Sequence, residues 1–175
     1  MSVKKIVWLW LLLLVSRANA QLVTNNSLTP QQLVQNVLIG SGVIATNVMY
    51  TGDANGIAAF TIPTNSNLGF TNGVFLTTGT TNTTNINGPS GPASSNFSGF
   101  DQTAVGDVDL DAIIASTGKT TEDASVLEFD FTAQSDSVKF KYIFASEEYN
   151  DFVNTPFNDV FAFILSKLMT HFKCF

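Results

Sequence analysis

Two segments near the C-terminal end alternate apolar and charged residues, and this pattern restricts the fold more than any other feature. Val126–Phe131 alternates apolar residues with acidic ones, and Val138–Phe144 alternates apolar residues with lysines. A period of two is typical of strands that bury one face. We therefore predict an antiparallel hairpin in which Glu128 faces Lys141 on the outer side, because this register keeps both apolar sets inward.

Shorter runs rich in β-branched and aromatic residues occur elsewhere, separated by clusters of turn-forming residues. These further predicted strands are Val43–Tyr50, Ile57–Ile62, Gly73–Thr77 and Asp159–Ser166. Several short strands at close spacing are typical of a sandwich or barrel. The expected fold is therefore all-β, with antiparallel sheets arranged as a β-sandwich or in a jelly-roll-like way.

One short N-terminal helix is expected to precede most of these strands. Thr29 suits the N-cap, Pro30 suits the first helical position, and Gln32 completes a capping box. Apolar residues then recur with helical spacing until Gly40, which favours the end of a helix. The helix should span about three turns.

The first twenty residues are typical of a secretory signal peptide. A basic start at Met1–Lys5 precedes the apolar run Ile6–Val15, and a polar stretch ends at Ala20. The apolar run has about half of the ~20 residues that a membrane-spanning helix needs. We therefore expect cleavage after Ala20, export of the chain, and no membrane insertion of the mature protein.

Charge and cysteine content exclude several classes of protein. Cleavage would remove Lys4, Lys5 and Arg17 from the eight basic residues and none of the fourteen acidic ones, so the net charge would change from −6 to −9. Nucleic acids and anionic lipids require clustered basic residues, so neither is expected as a partner. Cys174 is the only cysteine, so no intramolecular disulfide can form.

Asp107, Asp109 and Asp111 are spaced two residues apart. This spacing can bring oxygen ligands together as in calcium loops, although the glycine and the glutamate of an EF-hand are missing. The alternative is that Asp109 or Asp111 caps a short helix through residues 112–116.

A second acidic group lies further along the chain, in a predicted loop and at the start of the strand that follows it. A hard cation would relieve the repulsion between such carboxylates. We therefore predict a calcium (Ca²⁺) site whose ligands are drawn from both groups. The candidate ligands are Asp107, Asp109, Glu147, Glu148 and Asp159. A solvated acidic loop is the alternative.

The residue types in this sequence give little support for a catalytic site. A glycoside-cleaving pair would need two carboxylates about 5–5.5 Å or about 6.5–9.5 Å apart. The candidates for such a pair are Glu128, Glu147, Glu148 and Asp159. His171 and Cys174 lie at the extreme end of the chain, a poor place to assemble a nucleophilic site. We expect a protein that is not an enzyme, with a carbohydrate-binding or glycoside-cleaving domain as the alternative.

Six stretches of sequence, in a fixed order, carry a family resemblance. They are LTPQQLVQNVLIGSGV (Leu28–Val43), NVMYTG (Asn47–Gly52), SNLGF (Ser66–Phe70), GVFLTTG (Gly73–Gly79), GDVDLDAI (Gly106–Ile113), and VLEFDF…SVKFKYIFASEEYNDFVNTPFNDVFAFILS (Val126–Ser166). Together they resemble the choice-of-anchor L domain family. The resemblance implies a secreted or cell-surface module of large bacterial extracellular proteins, with an adhesive or structural role. It identifies neither catalytic residues nor the glycan or protein ligand.

The last nine residues, Lys167–Phe175, depart from this resemblance. The expected organisation is a signal peptide (1–20), an incomplete β domain (21–166) and an atypical tail (167–175), as in a truncated product. Asp159–Ser166 is apolar on both faces, and the chain after it is expected to be too short for a further hairpin. We therefore predict an exposed hydrophobic edge, aggregation, and an exposed Cys174 that cross-links associated chains.

Overall fold

The computed structural model describes residues 22–62, 68, 69, 71–81, 104–145, 154, 155, 159–166 and 171–175. These residues form two antiparallel sheets and two short helices, which confirms the expected all-β, sandwich-like fold. The predicted signal peptide lies outside the described residues. Within the described ranges, no helix has the length and apolar character needed to cross a membrane.

Within the described ranges, seven strands and two helices follow one another. The strands are β1 (Val23–Asn25), β2 (Val43–Thr51), β3 (Ile57–Thr61), β4 (Asn72–Leu76), β5 (Val126–Ala133), β6 (Phe163–Ser166) and β7 (His171–Cys174). The helices are α1 (Pro30–Leu33), which continues as a π-helical turn (Val34–Leu38), and α2 (Val108–Ile114), which continues as a 3₁₀ turn (Ala115–Thr117).

The seven strands divide into a three-stranded and a four-stranded sheet. The smaller sheet has the order β1-β3-β4, and the larger sheet has the order β2-β5-β7-β6. All neighbouring strands are antiparallel. In the larger sheet, β5 and β7 are therefore the central strands.

The larger sheet packs a separate core against each of its faces. On one face, Phe129 of β5 belongs to a cluster with Leu33 of α1 and Ile57 of the smaller sheet. On the other face, Val126 of β5 belongs to a cluster with Leu110 of α2. Burial of each large aliphatic side chain contributes about 1.5–3 kcal/mol. The alternation along β5 thus produces two buried faces instead of one buried and one solvated face.

The N-terminal helix begins with the predicted capping box. The Thr29 backbone N–H donates to Gln32 Oε1 at 2.9 Å, and the Gln32 backbone N–H donates to Thr29 Oγ1 at 3.3 Å. Leu33 and Val34 are both completely buried. The local capping signal and the burial of this turn therefore agree on where the helix starts.

The predicted hairpin between Val126–Phe131 and Val138–Phe144 is wrong. β5 pairs with β2 on one side and with β7 on the other, so neither edge of β5 is left for residues 138–144. Those residues form no strand, and Phe140 and Tyr142 are 55% and 58% exposed. The physical reason is that β7 has the same alternation of apolar and basic residues as residues 138–144, and it is β7 that pairs with β5.

The expectation that the chain after Ser166 is too short for a further hairpin is also wrong, because β6 and β7 pair as antiparallel strands. β7 is inserted between β5 and β6, and Phe175 directly after it is buried. The Phe175 backbone N–H donates to the Ala162 carbonyl at 3.2 Å, which extends the pairing with the β6 side. Cys174 is partly buried, not exposed. His171–Cys174 are therefore an integral part of the larger sheet.

Candidate functional site

A buried ammonium group links the last strand to the start of α2. Lys173 is only 8% exposed. Its Nζ donates to Asp107 Oδ2 at 2.8 Å and to Asp109 Oδ2 at 2.7 Å. Glu128 Oε1 lies 3.9 Å from Nζ, and the Phe175 ring centroid lies 4.6 Å from it. We call these five residues the Lys173 cluster.

Strand pairing explains why Lys173 points towards α2. Lys173 in β7 pairs directly with Glu128 in β5, and directly opposed residues share one face of a sheet. Leu110 of α2 packs over this face of the larger sheet, since it clusters with Val126. The ammonium group therefore meets the first residues of the helix.

Asp107 is the N-cap of α2. Its Oδ1 accepts hydrogen bonds from the backbone N–H groups of Asp109 at 2.8 Å and Leu110 at 3.4 Å, so that Oδ2 is available to Lys173. The hypothesis that an aspartate of this motif caps a short helix was right. The cap is Asp107, however, and the helix begins at Val108.

Both partners of the central ion pair are charged at neutral pH. Burial by itself raises the pKa of the Asp107 carboxyl, but hydrogen bonds from Lys173 and from the Asp109 N–H outweigh it, so the pKa lies below its ordinary value of 3.8. Burial likewise lowers the pKa of Lys173, but hydrogen bonds to Asp107 and Asp109 outweigh it and raise that pKa above 10.5. A general acid or base needs a pKa near the working pH. This pair therefore holds two segments together and is unsuited to proton transfer at neutral pH.

Asp111, the third acid of the motif, makes a different contact. Its Oδ1 accepts from the Thr121 backbone N–H at 2.6 Å and from Thr121 Oγ1 at 2.8 Å. Thr121 Oγ1 in turn accepts from the Asp107 backbone N–H at 2.9 Å. A Cβ added at Gly106 would lie 1.9 Å from the Thr121 carbonyl oxygen, so the backbones approach closely here. Each of the three carboxylates thus binds a donor of the protein itself.

The structure brings together two of the five predicted calcium ligands. Asp107 and Asp109 meet at the Lys173 ammonium group, and Asp159 is exposed ahead of β6. Glu147 and Glu148 lie outside the described residues. Within the part of the chain that is described, no group of three or more His, Cys, Asp or Glu side chains could hold a metal ion.

Sequence analysis did not identify Lys173 as a site residue. Its partners Asp107 and Asp109 lie 66 and 64 positions away, so no local spacing connects them. One signal was present in the sequence: Phe172-Lys173 repeats the dipeptide Phe140-Lys141. This repetition marks the tail as a possible strand.

Comparisons with known proteins support the resemblance found in the sequence. The choice-of-anchor L domain family matches residues 22–173. The matched range continues past Ser166 and includes all of β7 except Cys174. Searches among curated proteins and among solved structures found no match.

Proposed function

Because the chain belongs to the choice-of-anchor L domain family, whose members are bacterial cell-surface modules, we propose that it acts outside the cell as a structural or adhesive module. The observation that carries this proposal is the family match over residues 22–173. The family is not an enzyme family, and we propose a non-enzymatic role for this chain. Export is proposed to depend on the signal peptide at residues 1–20.

The contacts of the Asp107–Asp111 motif support a structural role. Its carboxylates bind Lys173 and Thr121 and so tie α2 to β7 and to the loop that follows the helix. Hydrogen bonds to charged groups contribute about 1.5–3 kcal/mol each. A surface module exposed to changing conditions gains from such fixed connections.

The location can be tested by labelling cells with an antibody against the purified domain. We expect equal labelling of intact and permeabilised cells, and loss of surface labelling when residues 2–20 are deleted. Labelling that requires permeabilisation in the unaltered strain would contradict the proposal. A cytoplasmic protein serves as the control for cell integrity.

The choice between a binding module and an enzyme can be tested with sugars. The carbohydrate alternative involves aromatic and acidic residues after Ser146, and Glu147 and Glu148 among them lie outside the described residues. A glycan array combined with a reducing-sugar assay separates the possibilities. Binding without release of reducing sugar fits an adhesive module, no binding fits a structural module, and release of reducing sugar would overturn the non-enzymatic role.

Calcium is proposed as a stabilising ligand of this module. Lys173 already neutralises Asp107 and Asp109, so we assign the main role to the other three candidates. These are Glu147, Glu148 and Asp159. An acidic extracellular chain gains stability when a cation binds only its folded state.

A further inference from the structure

Two segments of the chain share one residue pattern. Residues 139–143 read KFKYI, and residues 171–175 read HFKCF. We call them the inner segment and the tail segment. Phe and Lys occupy the same two positions in both, and the last position is apolar in both. Each residue of the inner segment lies 32 positions before its counterpart.

The tail segment occupies the edge of β5 in the register that the alternation assigns to the inner segment. Glu128 pairs with Lys173 in the structure, and the predicted hairpin would pair it with Lys141. Phe129 pairs with Phe172 in the structure, and the predicted hairpin would pair it with Phe140. The two segments therefore fit one site on β5.

The inner segment also packs its aromatic rings against β6 and β7. The ring centroid of Phe140 lies 4.7 Å from that of Phe163 in β6 and 5.9 Å from that of Phe172 in β7. The ring centroids of Tyr142 and Phe163 are 5.1 Å apart. The inner segment is thus already held close to the strand that it would replace and to the partner of that strand.

We propose that the inner segment and the tail segment are alternative partners for the same edge of β5, so that the chain can exchange one strand for the other. In the tail-bound form described above, Lys173 binds Asp107 and Asp109, and Phe175 is buried. In the exchanged form, Lys141 takes the position of Lys173, and Ile143 takes the position of Phe175. The tail segment then leaves the sheet.

Different interactions stabilise the two forms. A short connection joins the inner segment to β5, so its pairing costs less loop-closure entropy than pairing with the distant tail. The tail-bound form gains the ion pairs of Lys173 and the burial of Phe175. Because each form has its own source of stability, a change at Lys173 should shift the population between them.

Cross-strand disulfides can report which segment is paired with β5. In a Cys174→Ser background, Asp130→Cys with His171→Cys reports the tail-bound form, because positions 130 and 171 are directly paired. Asp130→Cys with Lys139→Cys reports the exchanged form. Asp130→Cys with Phe140→Cys is the control, because neighbouring residues of a strand point to opposite faces.

The test variant is Lys173→Glu, which places a negative charge beside three carboxylates. After thiol–disulfide equilibration of the full chain, peptide mass spectrometry should show that the 130–139 disulfide increases about tenfold and that the 130–171 disulfide decreases. Lys141→Glu is the matched control. It should leave the yield of the 130–171 disulfide unchanged, because Lys141 is outside the sheet in the tail-bound form.

Two outcomes would overturn the proposal. One is that, in Lys173→Glu, the yield of the disulfide between positions 130 and 139 does not exceed the yield of the control disulfide between positions 130 and 140. The other is loss of the β-sheet circular dichroism signal in Lys173→Glu, because the exchange requires the inner segment to keep β5 paired. Faster alkylation of Cys174 in folded Lys173→Glu protein without engineered cysteines would support the exchange independently, since the released tail exposes this thiol.

Discussion

Asp107 joins two parts of the molecule, because one of its carboxylate oxygens caps α2 while the other lies 2.8 Å from Lys173 Nζ in the last strand. The start of the helix and the C-terminal strand are therefore fixed relative to each other through one side chain. Its two tasks can be separated by substitution, since asparagine can cap a helix without carrying charge.

Replacement of Asp107 should reveal these two contributions. We expect Asp107→Ala to lower the free energy of unfolding by about 2–4 kcal/mol, because it removes a cap worth about 1 kcal/mol and one partner of a buried charge. Asp107→Asn should cost less than Asp107→Ala, because it retains the cap. Urea denaturation measures both. Asp136→Asn, at an exposed position, is the control and should change stability by less than about 0.5 kcal/mol.

The ion pair should make stability depend on pH at both ends of the scale. The pKa of Asp107 is depressed in the folded state, so its contribution is present above 3.8 and is lost as the pH falls through the lower folded-state value. The pKa of Lys173 is raised, so its contribution is present below 10.5 and is lost as the pH rises through the higher folded-state value. Urea midpoints should therefore be nearly constant between about pH 5 and about pH 9. Asp107→Asn should show a smaller loss in acid, and an equal loss would contradict this assignment.

Local signals in the sequence were sufficient for some elements of the fold. The capping box at Thr29 located the start of α1, and the alternation in Val126–Phe131 located β5. Both signals depend on neighbours within a few positions. This is why they do not depend on the tertiary arrangement.

Strand pairing and the site could not be derived in the same way. Alternation specifies which residues share a face, but it does not specify which strand becomes the neighbour. Two segments of this chain satisfy the same edge of β5, and the one that lies further away in sequence occupies it. The strand that pairs with β5 determines which residues Lys173 contacts. The site could therefore not be predicted from the sequence either.

Gly52 should be intolerant of a side chain. Its φ of +147° is unfavourable for other residues, and an added Cβ would lie 2.7 Å from Tyr50 Oη and 2.9 Å from the Ala124 carbonyl oxygen. The Tyr50 hydroxyl is fixed there by hydrogen bonds to the Asp53 carbonyl and to Ser125 Oγ. We expect Gly52→Ala to lower the free energy of unfolding by about 2–4 kcal/mol.

Gly42 provides the matched control for this substitution. A Cβ added at Gly42 would meet no atom within 4 Å, so Gly42→Ala should change stability by less than about 1 kcal/mol. Thermal unfolding of both variants under the same conditions measures the difference. Equal midpoints would show that the turn after β2 can rearrange around a new methyl group.

If calcium stabilises this module as proposed, it should raise the thermal midpoint of the protein. At a concentration about one hundred times the dissociation constant, a ligand of the folded state adds about 2.7 kcal/mol. We expect Asp159→Asn to reduce this calcium-dependent shift and Asp109→Asn to leave it unchanged, because Asp109 is bound to Lys173. Scanning calorimetry with calcium and with a chelator measures the shift. Identical midpoints in the two solutions would contradict the calcium site and favour the alternative, a solvated acidic loop.

Cys174 should react slowly for as long as the tail stays in the sheet. Burial raises the pKa of its thiol to about 12, and the thiolate is the reactive form. At neutral pH the thiolate population is therefore very small, and we expect the native chain to react with a disulfide reagent at least tenfold more slowly than the urea-unfolded chain. The same burial argues against cross-linking through an exposed thiol, since β7 must first leave its place beside β5 and β6. A colorimetric thiol assay with and without urea provides the measurement. Reaction at equal rates in the two conditions would mean that β7 is open to solvent in the native protein, and then neither the burial of Lys173 nor its ion pairs would persist in solution.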